Sequence, residues 1–204
     1  MDVHGVAWMT PKDRAFDNVF TVSLGAAAFL PSVVALVLLS FGGPALDAWF
    51  ELLVSSSPPL FEIYVERFQS YPGNWEHRLA ALYFLLLLSP LPVSAGLVFS
   101  VKVIEKYRRA YMSDAPISVF GRVFFGLLVA GIVFYASIGL AGTDRVATGS
   151  LMQSSNAAML LMTTAGLWTG GMLLGLTACD VRLIIQRALG PNYSLKRTNQ
   201  SLRD

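Results

Sequence analysis

Side chains that could perform chemistry are few in this sequence, and almost all of them lie outside its apolar stretches. The histidines are His4 and His77, and the single thiol is Cys179. One thiol can form neither an intrachain disulfide nor a thiol–disulfide exchange pair. Because no histidine lies in an apolar stretch, paired histidines cannot hold a haem within a membrane, and an intramembrane Ser–His dyad is excluded too. We therefore expect no catalytic residue, no metal site and no cofactor.

Two acidic residues, Glu76 and Asp180, could in principle take part in catalysis or proton transport. Glu76 precedes His77 in the aromatic segment 71–78, where the two could titrate or coordinate a ligand at a membrane surface. An enzyme built on this pair ranks third among our functional hypotheses. A proton-coupled exporter needs a carboxylate buried within a span. Asp180 is the nearest candidate, but it adjoins Arg182 at the end of an apolar stretch, and we interpret it as an interfacial charge.

Four apolar stretches dominate the chain, at residues 19–41, 79–101, 118–142 and 157–178. Only 14% of all residues are charged, against about 25% in a typical soluble domain. Each stretch reaches the roughly 20 residues that a helix needs to cross a bilayer, and the first is too long for a signal peptide. Within them only Arg122 is charged, near one end, where its side chain can reach the headgroups. The sequence predicts an all-α membrane protein with a four-transmembrane-helix bundle.

The placement of Lys and Arg predicts the orientation of these spans. Basic residues concentrate in three segments: the N-terminus at 1–18, the loop at 102–117 and the tail at 179–204. The loops at 42–78 and 143–156 are nearly free of them. Basic segments stay in the cytoplasm, so we expect both termini there and the bilayer as a partner. The formal net charge of only +2 gives no reason to expect nucleic acid.

The longest outer loop, residues 42–78, has the pattern of two short amphipathic helices lying on the membrane surface. Apolar residues recur at helical spacing from Leu46 to Leu53 and again from Phe61 to Phe68, with acidic residues beside them. The polar and aromatic residues of this loop are our candidates for contact with a partner or ligand: Trp49, Phe50, Phe61, Tyr64, Phe68, Trp75, Glu76 and His77.

Small residues recur along the third and fourth apolar stretches. Such positions let membrane helices approach closely. The predicted packing positions are Gly121, Gly126, Gly131, Gly166, Gly170, Gly171 and Gly175. We favour packing of spans 3 and 4 within one bundle, and the alternative is a seam between two copies of the chain.

Three prolines fall inside the first two apolar stretches: Pro31, Pro90 and Pro92. Each removes a backbone donor and is expected to kink its helix. Paired kinks could open a cavity between spans 1 and 2, lined by Ser32, Ser89 and Ser94.

The polar tail at residues 191–204, Pro-Asn-Tyr-Ser-Leu-Lys-Arg-Thr-Asn-Gln-Ser-Leu-Arg-Asp, resembles the read-through ends of bacterial integron gene cassettes. This resemblance covers the tail alone. It implies an accessory bacterial gene, an inner-membrane location, and a role of the defence, resistance or toxin-neutralising kind.

Together these features favour a non-enzymatic accessory protein that acts by contact with a partner protein or an incoming toxin. The alternative is a small-molecule carrier or channel that uses the proline-kinked spans 1 and 2. The two differ in a testable way, because only a carrier supports substrate flux.

Overall fold

The computed structural model describes residues 11–56, 65–66, 68–69, 74–106, 116–139 and 155–188. Within these ranges the chain is entirely helical, without a strand. The six helices are α1 (Pro11–Phe41), α2 (Gly43–Ser55), α3 (Trp75–Leu87), α4 (Pro90–Lys106), α5 (Pro116–Gly139) and α6 (Asn156–Ala188). The predicted all-α architecture is confirmed over these residues.

Three helices contain segments long and apolar enough to cross a membrane: Val19–Phe41, Ser118–Ser137 and Asn156–Gln186. A fourth crossing results if α3 and α4, which meet at an angle of 44°, are counted as one broken span. Only 11% of the apolar window of α5 is buried within the chain. Apolar surface on this scale needs a covering other than water.

The second apolar stretch, predicted as one helix, is broken between Leu87 and Pro90. Pro90 has no backbone N–H, so a continuous helix would lack one hydrogen bond there. The turn is tight: the Ser89 N–H donates to the Leu86 carbonyl at 3.1 Å, and the Leu91 N–H donates to the Leu88 carbonyl at 3.0 Å. These short-range bonds keep the backbone paired through the bend. The other two prolines, Pro31 and Pro92, lie inside α1 and α4 respectively and are buried.

Helix α6 lies between α4 and α5, and one row of its glycines faces α4. A methyl group added to Gly171 would overlap the backbone of Val93, and one added to Gly175 would overlap Leu97. Backbone therefore meets backbone along this seam, as small residues permit in lipid. Because residue numbers rise together on both helices, α4 and α6 are parallel.

A second row of glycines on α6 faces α5. A methyl group on Gly166 would overlap Ser137, and one on Gly170 would come within 2.6 Å of the Phe134 ring. From the opposite side, Gly126 of α5 approaches the hydroxyl of a threonine near the end of α6. Residue numbers rise on one helix as they fall on the other, so α5 and α6 are antiparallel. Five of the seven predicted packing glycines thus lie at contacts within one chain.

The other two predicted packing glycines, Gly121 and Gly131, lie elsewhere. A methyl group at either position would meet nothing within 4 Å. Both lie on an open face of α5, which packs mainly against α6. Glycine spacing alone could not separate these positions from the glycines in contact.

Ser32 of α1 faces α6, not a cavity beside the second span. Its hydroxyl donates to the Leu160 carbonyl at 3.1 Å and shares a second hydrogen bond with the Thr164 hydroxyl. All three residues are buried. This polar link and the nearby Phe29–Trp168 ring contact hold α1 antiparallel to α6. The prediction that Ser32 lines a cavity between spans 1 and 2 is therefore wrong for this structure.

Candidate functional site

At the end of the helices opposite Lys102 and Arg122, α2 packs against α3. Pro44 occupies the first turn of α2, where its missing N–H costs no helical hydrogen bond. Leu46 is buried against Ala80 and Ala81, and the Trp49 Nε1–H donates to the Ala80 carbonyl at 3.1 Å. The predicted amphipathic helix exists here, but α3 covers its apolar face.

Other aromatic contact candidates also point inward. The Phe50 and Trp75 rings meet edge to face with centroids 5.6 Å apart. Phe68 is fully buried in the main core, so it has no surface to offer a partner in this structure. Phe61 and Tyr64 lie outside the described residues. The aromatic residues of the outer segment therefore serve the packing of α2 and α3 more than outward contact.

A histidine–carboxylate pair joins the two helices at the surface. His77 Nε2 lies 2.6 Å from Asp47 Oδ1, and the Asp47 side chain is 62% exposed. Glu76, which the sequence suggested as the partner of His77, is exposed on α3. The sequence paired Glu76 with His77 because they are adjacent, but consecutive helix residues point in different directions. Only the docking of α2 on α3 reveals Asp47 as the partner.

The outward surface of this end carries acidic side chains. Asp47, Glu51, Glu66 and Glu76 are exposed, whereas the nearby Arg78 is buried. We call the α2–α3 unit with these exposed carboxylates the outer platform, after the predicted outer loop, residues 42–78, that carries them. Its helices are held by packing and by side-chain hydrogen bonds, so the surface is formed before any partner arrives.

At the opposite end, a buried carboxylate joins α5 to α6. Arg122 donates to Asp180 Oδ1 from Nη2 at 3.0 Å and from Nε at 3.2 Å. The Asp180 side chain is 4% exposed and that of Arg122 is 35% exposed. The sequence placed Asp180 beside Arg182 at the edge of the span, whereas the structure pairs its carboxylate with Arg122. Helix α6 continues to Ala188, beyond the predicted end of its span, and turns Asp180 towards α5.

A cleft of about 260 Å³ lies between α1 and α4 near the same end. Its walls are four apolar side chains, Phe20, Leu97, Val98 and Val101, together with Lys102. Lys102 Nζ is buried and lies 3.9 Å from the centroid of the Phe20 ring. This geometry allows cation–π attraction. The sequence places Lys102 in a basic cluster for which a lipid-headgroup role is possible, but its contact with Phe20 could not be predicted, because the α1–α4 contact is not visible in the chain order.

Among the described residues, no three His, Cys, Asp or Glu side chains gather closely enough to hold a metal ion. Comparison with protein-family models, with curated proteins and with solved structures yields no match.

Proposed function

We propose that this chain crosses a bacterial inner membrane four times, as a four-helix bundle with both termini in the cytoplasm. The helix directions support this: α1 and α5 run against α6, and the second part of the broken span, α4, runs with it. Directions alternate in chain order, as successive crossings require. Lys102, Arg122 and Arg182 lie at one end of the helices, which fits a cytoplasmic face rich in basic residues.

We propose further that the protein is a non-enzymatic accessory protein that acts by contact, in an immunity-like or defence-like role. The observation that carries this proposal is the outer platform, where α2 is bound to α3 by a buried leucine, an indole hydrogen bond and the Asp47–His77 pair. A preformed surface loses little freedom on binding. The resemblance of the tail to cassette ends supports a role of the same kind.

The exposed carboxylates of the platform favour a cationic partner. Amphipathic peptides that act on membranes carry Lys and Arg on their polar face. Opposite charges across an interface accelerate association and select the partner. A toxin of this class, arriving at the outer surface, would meet Asp47, Glu51 and Glu76 first.

Charge reversal on the platform tests this proposal. Cells that express the chain would be challenged with Lys- and Arg-rich membrane-active peptides, and survival would be compared between the wild type and the double variant Glu51→Lys, Glu76→Lys. Both side chains are exposed, so folding should be retained. We expect protection to be lost in this variant and kept in Arg182→Glu, which alters an exposed charge at the other end. Equal protection by all three proteins would refute the platform as the contact site.

Deleting residues 47–68 would be a poorer test. The deletion would remove Phe50 and Phe68, which pack in the main core, together with Leu53. Loss of function would then reflect loss of folding.

Affinity isolation of the full chain in mild detergent, from the wild type and the charge-reversed variant in parallel, separates a specific partner from background. A second copy of the chain in the isolated complex would instead indicate a homo-oligomer.

A second candidate is a small-molecule carrier or channel, favoured by the 44° break at Pro90 between α3 and α4. Transporters often place their binding sites at discontinuous helices. This candidate predicts substrate-dependent flux in proteoliposomes and its loss in Pro90→Ala. Flux without any effect of platform charge reversal would favour it over the contact protein.

A further inference from the structure

We infer that the cleft between α1 and α4 binds an anionic phospholipid of the cytoplasmic leaflet, with one acyl chain along the cleft and the phosphate near Lys102. The inference rests on the proposed membrane topology but not on the outer platform or its partner. It concerns a surface at the opposite end of the molecule.

The composition of the cleft suits an acyl chain. Its walls are aliphatic and aromatic except for Lys102 at one end. Val98 is 40% exposed, so the cleft opens sideways from the helices, not towards their ends. In a bilayer that direction is occupied by lipid.

The position of the charge suits a headgroup. Lys102 lies close to the end of the apolar part of α4, and Phe20 lies one residue after the start of the apolar segment of α1. Because α1 and α4 are antiparallel, both mark the same membrane boundary, where phosphate groups lie. Basic pockets between membrane helices on the cytoplasmic side are suited to acidic headgroups.

The arrangement of Lys102 over Phe20 gives the site a defined geometry. The ring lies 3.9 Å from Nζ and holds the ammonium group at the end of the apolar walls. Lys102 is the basic side chain among the five residues that line the cleft, so it sets the sign of the charge at this end.

The experiment uses the purified full chain exchanged into mixtures of phosphatidylglycerol and phosphatidylcholine, with retained lipid counted by native mass spectrometry. We expect the wild type to retain phosphatidylglycerol preferentially. Lys102→Gln should weaken that retention by about fivefold, the effect of removing one basic group near an acidic headgroup. Arg182→Gln, which removes an exposed charge at the same end, should change it far less.

A steric pair of variants tests the cleft without altering charge. Val98→Trp places an indole within the cleft, whereas Val103→Trp adds the same group at an exposed position that does not line it. Retention should fall only in Val98→Trp. Lys102→Arg keeps the positive charge and should retain the lipid. Retention by this variant would attribute the loss in Lys102→Gln to the missing charge and not to a folding defect.

Two outcomes would overturn the inference. One is equal retention by the two tryptophan variants, or by Lys102→Gln and Arg182→Gln. The other is displacement of phosphatidylglycerol by inorganic phosphate, which would indicate a site for the soluble anion instead of the lipid. Neither outcome bears on the protection assay, so failure here is distinguishable from failure of the proposed contact function.

Discussion

At the scale of single residues, the Arg122–Asp180 pair is the least expected feature of the chain. From the sequence, Arg122 was expected to reach the headgroups, and Asp180 was expected to be an interfacial charge next to Arg182. The structure instead places Asp180 almost wholly inside, with two hydrogen bonds from one guanidinium. A carboxylate that accepts two hydrogen bonds from one guanidinium group is bound more strongly than a carboxylate in an exposed ion pair.

We expect Asp180→Asn to lower the free energy of unfolding by about 2 kcal/mol, because it removes the charge that Arg122 faces in a largely buried position. The expected loss is smaller than for a fully buried ion pair, because the Arg122 side chain is 35% exposed. Thermal unfolding in detergent, followed by circular dichroism, measures the effect. Arg182→Gln is the control, and an equal loss of stability in both variants would contradict a specific pair.

The indole of Trp49 provides a second prediction at this scale. Trp49→Phe keeps an aromatic ring but removes the Nε1–H that donates to the Ala80 carbonyl. We expect a loss of about 1 kcal/mol, the usual net value of such a hydrogen bond. Amide hydrogen exchange should accelerate in α2 first. Unchanged exchange in α2 would show that the indole does not hold the helix.

At the scale of the helices, α6 organises the molecule because it carries two rows of glycine on different sides. Gly171 and Gly175 face α4, and Gly166 and Gly170 face α5. The sequence shows the repeats plainly, but only the third–fourth span contact was expected. The contact with the second span is made by α4, the helix that follows the 44° break at Pro90.

A matched pair of substitutions tests this arrangement. Gly171→Ala places a methyl group against the Val93 carbonyl, and we expect it to destabilise the protein by about 1–3 kcal/mol, as overpacking does. Gly131→Ala, with nothing within 4 Å of the added methyl group, should be neutral or stabilise by up to about 1 kcal/mol through helix propensity. Unfolding in detergent provides the measurement. Similar effects at both positions would show that α4 and α6 are not in close contact.

At the scale of the whole molecule, the proposed topology makes a simple prediction. Fluorescent-protein fusions at either end should be fluorescent, and alkaline phosphatase fusions there should be inactive, if both ends lie in the cytoplasm as proposed. A phosphatase fused within residues 143–156 should be active. Activity of a C-terminal phosphatase fusion would mean that α3 and α4 do not together form one crossing, since an odd number of spans would remain.

Much of the architecture follows directly from the sequence. Apolar length predicts helices that can cross a membrane, because backbone N–H and C=O groups must pair internally in lipid. Pro90 predicts a disturbance of the second span, and glycine spacing predicts close helix packing. The direction of each glycine could not be predicted, because Gly131 and Gly170 differ only in which neighbour lies opposite.

The sites depend on contacts between residues far apart in the chain. Asp47 meets His77, Arg122 meets Asp180 and Phe20 meets Lys102, each across two different helices. Such pairs leave no local periodic signal, and the more visible neighbours, Glu76 beside His77 and Arg182 beside Asp180, suggested the wrong partners. The sequence by itself determined a helical, membrane-compatible chain with charges segregated along it, since these are local properties of composition and spacing. The tertiary structure alone decided which side chains meet, because the packing of helices sets the partner of every residue on their faces.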